Sequence, residues 1–398
     1  MKEIAIVGAF DRYNYGDLLF PIIIENYIKK YRPELLQEYS LGYYGLISSD
    51  LSSVGGKKTD EIRNLIKRFK NSSDENVILI SGGEVLPARW YQMYEHLSRN
   101  SLIHYIKKVI RKTIGKEILE AYVRRRLGVE GKFPWIFIKE DVGINSKIFY
   151  NTVGGSNISN FSSIELAYVK SNLRKIDYFS VRDNLTMSNF EDISPIMAPD
   201  SAIIMSTFFT EEVLKELINP KVKEYVEENS FICFQTNLTS SVGKEKIIAS
   251  QLKRISQKSN LRILLLPIGF ASGHDNQIAL QKILTYINPF ADLMVDLNIY
   301  DIMYLIAKSQ FFAGTSLHGN ITASSYAVPH IGLGKKIYKL DSFTKTWDIE
   351  DYEGNVEFEE LYDTFIKYSK IPKMELETKR DYLITKSLQN FNQMFDKI

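Results

Sequence analysis

Short apolar runs recur through the first half of the chain, and each is followed by a turn and a helical pattern. They lie at Ile4–Val7, Val77–Ser81, Ile148–Val153 and Tyr178–Val181. Their apolar residues are continuous rather than alternating with polar ones, which is typical of strands buried on both faces of a parallel sheet. The apolar-faced segment from Leu18 to Tyr31 is predicted to form a helix that crosses over this sheet.

The same pattern restarts in the second half of the chain. Apolar runs again neighbour helical patterns, at Phe231–Gln235, Arg262–Pro267, Leu293–Asp296, Phe311–Gly314 and His330–Gly334. The sequence therefore predicts an α/β protein with two Rossmann-like, doubly wound domains facing each other across a cleft, a GT-B-like architecture. We place the N-terminal domain at residues 1–210, the C-terminal domain at 211–374, and a last helix at 375–398 that returns to the first domain.

One segment is strongly basic in a chain whose formal net charge is only +2. Residues 99–132 hold ten Lys or Arg but three Glu, and isoleucines recur every three or four positions at Ile103, Ile106, Ile110 and Ile114. We expect a helical insertion over about residues 95–135. Two interpretations are open: a solvated helix packed on its domain, or a cap that meets an anionic membrane surface or acceptor.

Composition excludes several classes of protein. Cys233 is the one cysteine, so the chain can form neither an internal disulfide nor a cysteine metal cluster. The net charge gives no reason to expect a nucleic-acid partner. The first apolar run is too short for a signal peptide, and no window approaches the 18 apolar residues that suggest a membrane span. We therefore expect a cytoplasmic protein, at the inner membrane face if the basic segment binds lipid.

Candidate chemistry in the first domain follows the strands, because ligands of open α/β sheets bind beyond the carboxyl ends of strands. Asn14, Gly16 and Asp17 precede the first helix, and Asp17 is placed either to cap it or to hold a ligand. Gly82 and Gly83 follow a buried strand and would let the backbone approach a ligand.

A second group of polar residues follows later strands of the first domain. Arg182 and Asp183 come directly after the run at Tyr178–Val181, and Asp200 follows Pro199. A guanidinium suits a carboxylate or phosphate ligand, and the alternative is an internal ion pair of Arg182 with Asp183 or another acid.

The second domain carries the strongest candidate site. Thr315, Ser316, His318 and Gly319 follow a buried strand and open a helix. A histidine at this point favours acid–base chemistry, and the helix start favours an anionic ligand. Lys335 and Lys336, after the next strand, would either neutralise a phosphate or lie on the surface.

The order of these motifs resembles that of the polysaccharide pyruvyl transferase family. The matching segments are Asn14-Tyr15-Gly16-Asp17, Ile80-Ser81-Gly82-Gly83, Ser180-Val181-Arg182-Asp183 with Ser188, Pro199-Asp200-Ser201-Ala202, and Leu317-His318-Gly319 with Val328-Pro329. The resemblance runs from Met1 to about Lys336. Ser316 stands where many members have Arg, and Glu84 stands where a third Gly is common.

The resemblance implies a transferase that moves a pyruvyl group from phosphoenolpyruvate to a free, nucleotide-linked or lipid-linked sugar or polysaccharide. It implies His318 as acid–base residue, Arg182 on the anionic end of the donor, and Asp17 or Asp200 on the acceptor. We expect neither a metal nor a further cofactor. Two alternatives stay open: a GT-B nucleotide-sugar glycosyltransferase, and, given Ser316 and Glu84, a catalytically inactive sugar-binding protein.

Overall fold

In a computed structural model of the protein, residues 2–97, 115–269 and 276–398 are described. They form two compact units, the first comprising residues up to Ser201 together with Gln389–Ile398, and the second running from Ala202 to Leu388. Residues 202–210, which we had assigned to the N-terminal domain, therefore lie in the second unit. Part of the basic segment, residues 98–114, lies outside the described residues, and so do the isoleucines predicted there.

The first unit is built on an eight-stranded sheet. Its strands are β1 (Lys2–Val7), β2 (Tyr39–Gly45), β3 (Ser49–Asp50), β4 (Lys58–Glu61), β5 (Val77–Ser81), β6 (Lys147–Val153), β7 (Tyr178–Val181) and β8 (Ile196–Met197). They lie in the order β3-β4-β2-β1-β5-β6-β7-β8, and only the edge pair β3–β4 is antiparallel. The central strands β1, β5, β6 and β7 are the four predicted from continuous apolar runs, and they are almost wholly buried.

Helices cover this sheet. They are α1 (Tyr15–Tyr31), α2 (Leu35–Glu38), α3 (Ile62–Lys70), α4 (Trp90–His96), α5 (Lys116–Leu127), α6 (Lys139–Val142), α7 (Ser163–Leu173) and α8 (Asn184–Asn189). Between β5 and β6 the described residues contain α4, α5 and α6 and no strand. Helix α5 buries Leu119, Val123 and Leu127 on its domain, while Arg125 and Arg126 stay exposed.

The second unit has a five-stranded, wholly parallel sheet. Its strands are β9 (Phe231–Gln235), β10 (Arg262–Leu265), β11 (Ala291–Leu293), β12 (Phe312–Gly314) and β13 (His330–Gly332), in the order β11-β10-β9-β12-β13. The strand expected at Leu293–Asp296 instead ends at Leu293. Asp296 has a left-handed backbone with φ 55°, which is incompatible with a strand.

The helices of the second unit alternate with these strands. They are α9 (Glu211–Leu217), α10 (Pro220–Glu228), α11 (Leu238–Ser241), α12 (Glu245–Ser259), α13 (Asn276–Ile287), α14 (Ile299–Lys308), α15 (Leu317–Ser325), α16 (Tyr338–Trp347), α17 (Leu361–Tyr368) and α18 (Lys373–Phe395). The predicted fold class, α/β with two doubly wound units, is confirmed. None of the helices in the described ranges is long and apolar enough to cross a membrane.

The end of α18 packs on the first unit, although most of the helix belongs to the second. Asn390 donates from Nδ2 to Asn151 Oδ1 at 2.7 Å, and Tyr178 donates its hydroxyl to Asn390 Oδ1 at 2.8 Å. The ring of Phe391 stacks on Tyr27 with a centroid distance of 4.5 Å. The last ten residues therefore complete the core of the first unit.

A buried histidine lies in the core of the second unit and was not predicted from the sequence. Both ring nitrogens of His330 face acceptors: Nδ1 lies 2.9 Å from the Val328 carbonyl oxygen, and Nε2 lies 3.2 Å from Asp348 Oδ1. Burial alone would lower the pKa of His330, but the charge of Asp348 and these hydrogen bonds outweigh it and raise the pKa. Folding therefore shifts the titration of this imidazole to higher pH.

This arrangement predicts a pH-dependent stability. Because the pKa of His330 is raised on folding, its contribution should be complete below the unfolded value of about 6.5 and be lost as the pH rises through the folded value. Urea denaturation of the parent and of His330→Gln between pH 5.5 and 9 should show a free-energy difference that shrinks with pH. A difference that stays constant or grows with pH would contradict this charge pairing.

Candidate active site

The start of α1 and the turn after β5 meet at the carboxyl edge of the first sheet. Asn14, not Asp17, is the N-cap residue: its backbone is extended, with φ −129° and ψ 116°, whereas Asp17 already lies in the first turn. Asn14 Nδ2 donates to Asp17 Oδ2 at 2.8 Å, and Gly16 is buried between them. The expectation that Asp17 caps the helix was wrong, because the helix begins two residues earlier.

The glycines after β5 allow this close packing. Gly82 and Gly83 have φ values of +88° and +65°, which only glycine adopts readily. A Cβ at Gly82 would lie 2.0 Å from the ring of Phe20, and one at Gly83 would lie 3.4 Å from Asp17 Oδ1. The backbone at these glycines thus approaches side chains of α1, and this packing places the half-buried Asp17 at the sheet edge.

Arg182 lies at the end of β7 and is only 1% exposed. Its Nη1 is 2.9 Å from Asp200 Oδ2, its Nη2 is 3.2 Å from Glu84 Oε2, and its Nε is 3.8 Å from Asp183 Oδ2. Burial opposes its charge, but the three carboxylates outweigh burial and raise the pKa of Arg182. Of the two interpretations open from the sequence, the geometry favours the internal ion pair over a grip on the donor.

The Arg182 cluster, which comprises Arg182, Glu84, Asp183 and Asp200, holds one cation and three carboxylates. Asp183 Oδ1 also caps α8 by accepting the Thr186 amide at 2.8 Å, and burial raises the pKa of Asp183. Such an excess of carboxylates repels an anionic ligand but readily accepts hydrogen bonds from hydroxyl groups. The edge of the first sheet therefore favours a neutral ligand that carries hydroxyl groups over an anionic one.

Loops after β5 and β6 support this cluster. Glu84 Oε1 accepts the Ser156 hydroxyl at 2.6 Å and the Asn157 amide at 3.1 Å. Thr152, at the end of β6, has a left-handed backbone with φ 46°, which is strained for a β-branched residue, and its hydroxyl accepts the Ser201 amide at 3.1 Å. Neither Thr152 nor Ser156 was singled out from the sequence, because no local pattern signals these contacts.

In the second unit, α15 begins directly after β12. Ser316 caps it by accepting the Gly319 amide on Oγ at 3.2 Å. Serine is among the best N-cap residues, so Ser316 stabilises the start of this helix. A Cβ at Gly319 would lie 2.4 Å from the Phe312 ring, so the helix start packs closely on the strand.

His318 is the second residue of α15 and is half-buried. Its neighbour Thr315 lies beside two polar residues at the carboxyl end of β9, of which Gln235 is the last residue of the strand and Asn237 follows it. Thr315 Oγ1 donates to Gln235 Oε1 and accepts from Asn237 Nδ2, both at 3.3 Å. Gln235 and Asn237 were missed from the sequence, although polar residues at the end of a buried strand could have indicated them. The helix start, the imidazole and these polar groups thus share one sheet edge.

The two lysines after β13 are exposed. Lys335 Nζ lies 2.8 Å from Glu360 Oε2, so its charge is already paired on the surface. Lys336 has no ion pair among the residues that the structure describes. Within the same residues, no group of three or more His, Cys, Asp or Glu side chains could hold a metal ion.

Several solved structures share the fold over nearly their whole length. The UDP-GlcNAc 2-epimerase of Neisseria meningitidis bound to UDP-GlcNAc has a TM-score of 0.56 at 12% identity, with all of both chains covered. MnaA of S. aureus with UDP has a TM-score of 0.57 at 11% identity, with 100% of this chain and 98% of that one covered. HepE of Anabaena with UDP and glucose has a TM-score of 0.52 at 10% identity over both whole chains.

At these identities the similarity shows the GT-B-like fold alone. A search among curated proteins found no match. The sequence model of the family described as polysaccharide pyruvyl transferase matches residues 135–335, just over half of the 398 residues. The match includes Arg182, Asp200 and the helix start at His318. The chain therefore belongs to the polysaccharide pyruvyl transferase family.

Proposed function

We propose that this protein moves a pyruvyl group from phosphoenolpyruvate to sugar hydroxyls of a polysaccharide or its precursor and releases phosphate. The observation that carries the proposal is the start of α15, where His318 lies in the first turn of a helix that follows β12 directly. Membership of a transferase family supports the class of reaction. No metal or further cofactor enters the proposed reaction.

His318 supplies the acid–base chemistry in this proposal. Protonation of the donor's methylene carbon makes its neighbouring carbon electrophilic, and a sugar hydroxyl then forms a bond to that carbon and gives up its proton. The carbon–oxygen bond to phosphate breaks, and attack by a second hydroxyl closes a cyclic ketal. An imidazole with a reference pKa of about 6.5 can donate and accept these protons near neutral pH.

The two substrates are assigned to different units on electrostatic grounds. The amides and positive end of α15 favour the anionic donor, with Thr315, Ser316 and Gly319 lining the helix start. The Arg182 cluster has an excess of carboxylates and favours the hydroxyls of the acceptor. Asp17, half-buried at the same edge as the cluster, is placed to orient those hydroxyls, whereas Asp200 acts through Arg182.

The test is release of phosphate from phosphoenolpyruvate across a panel of free, nucleotide-linked and lipid-linked sugars. We expect release that depends on both the donor and one class of acceptor, with pyruvate incorporated into the product. UDP release or epimerisation from UDP-GlcNAc, without any release from phosphoenolpyruvate, would instead indicate a nucleotide-sugar enzyme. Binding of sugar without any turnover would indicate an inactive member of the family.

A further inference from the structure

The first unit contains a cavity of about 1210 Å³. Helices α4 and α5 and the segment 157–165 form its walls, and Glu84 lies at the side nearest the Arg182 cluster. We propose that this cavity binds the acceptor as an oligosaccharide of more than one sugar ring. This inference rests on the proposed function, since it names the form in which the acceptor is bound.

Several charged groups in the wall are held in place by the protein. Arg89 Nη1 lies 2.6 Å from Glu165 Oε1, and its guanidinium stacks over the Phe161 ring at 4.4 Å. The carboxylate of Glu120 accepts the amides of Trp90 and Tyr91, both at 3.0 Å, at the start of α4. These groups are fixed before any ligand arrives, which lowers the entropy lost on binding.

Other side chains in the wall have hydrogen-bond donors that a ligand can use. Among the described residues, the side chain of Arg124 makes one long contact, 3.5 Å from Nη1 to the Glu130 carbonyl oxygen, and its Nε has no acceptor there. Lys116 and Lys132 also line the cavity, and within the described ranges neither forms an ion pair. Hydroxyl groups both donate and accept, so a wall that mixes ammonium, guanidinium and carboxylate groups suits a sugar chain.

The size of the cavity argues against the donor as its occupant. Pockets for small molecules usually measure about 300–1,000 Å³, and phosphoenolpyruvate is smaller than most of their ligands. Among the described residues, the lining holds five carboxylates, those of Glu84, Glu95, Glu117, Glu120 and Glu165, and four cationic side chains, those of Arg89, Lys116, Arg124 and Lys132. Its charge is therefore mixed and is not specific for a small multivalent anion. A ligand of several linked rings fills the volume, and its hydroxyl groups can bind both the carboxylates and the cationic groups.

Glu84 is the residue that the cavity and the Arg182 cluster share. Its side chain keeps 18% of its surface exposed while one oxygen pairs with Arg182 and the other accepts from Ser156 and Asn157. The family resemblance predicts glycine at this position. Glu84 therefore gives this chain a fixed carboxylate next to the proposed sugar chain, and we assign it a role in acceptor specificity.

The matched variants are Arg124→Ala and Arg126→Ala, which remove the same side chain from one helix. Arg124 lines the cavity, whereas Arg126 is exposed and does not. Binding of glucose, galactose, mannose and N-acetylglucosamine, and of their linear tetrasaccharides, is measured by calorimetry without donor. We expect one tetrasaccharide to bind at least about tenfold more tightly than its monosaccharide, and Arg124→Ala to weaken it by about tenfold. Arg126→Ala should bind as the parent does.

Further readouts separate this site from the reaction itself. In turnover, Arg124→Ala should raise KM for the acceptor and leave KM for phosphoenolpyruvate unchanged, and Glu84→Gln should alter the ranking of the sugars. If Arg124→Ala loses tetrasaccharide binding but the parent releases no phosphate from phosphoenolpyruvate, the binding site is supported and pyruvyl transfer is refuted. Three results would overturn the site: the same tetrasaccharide affinity in Arg124→Ala and Arg126→Ala, a parent that binds monosaccharides as tightly as tetrasaccharides, or a parent that binds no tetrasaccharide.

Discussion

Replacement of His318 by glutamine is expected to lower turnover by about 10²–10⁴-fold, the usual contribution of a positioned acid or base. The loss of stability should stay within about 1 kcal/mol, because a half-buried residue in the first turn contributes little to folding. The cap of the helix is Ser316, so the substitution leaves the capping hydrogen bond in place. Thermal shift by phosphoenolpyruvate should persist, since the amides of the helix start remain.

Phosphate release at saturating donor and acceptor measures this effect. His330→Gln is the matched control, because it makes the same chemical change in the same unit at a histidine buried in the core. Assayed below its melting temperature, the control should keep its turnover per folded molecule. Near-normal turnover of His318→Gln would rule out the acid–base assignment, and gross unfolding would show that His318 is a core residue.

Removal of the guanidinium of Arg182 should destabilise the first unit by about 3–5 kcal/mol, the usual cost of breaking a buried ion pair. In Arg182→Ala, the carboxylates of Asp200 and Asp183 would stay buried without their counter-charge. Because burial already raises the pKa of Asp183, the destabilisation should be smaller at acidic pH, where that carboxyl can be neutral.

Arg174→Ala supplies the comparison for this variant. Arg174 also pairs with an aspartate, Asp192, but its side chain is 51% exposed, so its loss should cost no more than about 1 kcal/mol. Urea denaturation of both variants at pH 7 and pH 5 tests the prediction. If Arg182→Ala instead denatures at the same urea concentration as the parent and loses only affinity for phosphoenolpyruvate, Arg182 binds the donor, as the family resemblance implied.

The sequence predicted the buried strands well, because a strand covered on both faces carries a continuous apolar run whatever its partners. It did not predict β2, Tyr39–Gly45, whose three tyrosines and two glycines carry no such run. The start of α1 was placed three residues late, at Leu18 instead of Tyr15, because Asp17 resembles a cap as closely as Asn14 does and only the backbone angles separate them.

The candidate site was predicted in its components but not in its pairings. Arg182, Asp183 and Asp200 were each predicted as site residues. The sequence could not show whether the guanidinium binds a ligand or an acid of the protein, because one of its partners, Glu84, lies 98 residues away along the chain. Ser316 was noted as a departure from the resemblance, and its role as the cap of α15 was not predicted. Gln235 ends the neighbouring strand β9 and Asn237 follows it, so only the sheet order brings them to Thr315.

The return of the last ten residues to the first unit has a consequence for synthesis on the ribosome. Domains usually fold from the N-terminus as the chain emerges. The contacts of Asn151, Tyr178 and Tyr27 with Asn390 and Phe391, however, can form only after residues 390 and 391 have been synthesised. The second unit, encoded in one stretch, has emerged almost entirely by then. The core of the first unit is therefore completed after most of the second unit has been translated, and a nascent chain that stops before Gln389 leaves part of that core open to chaperones.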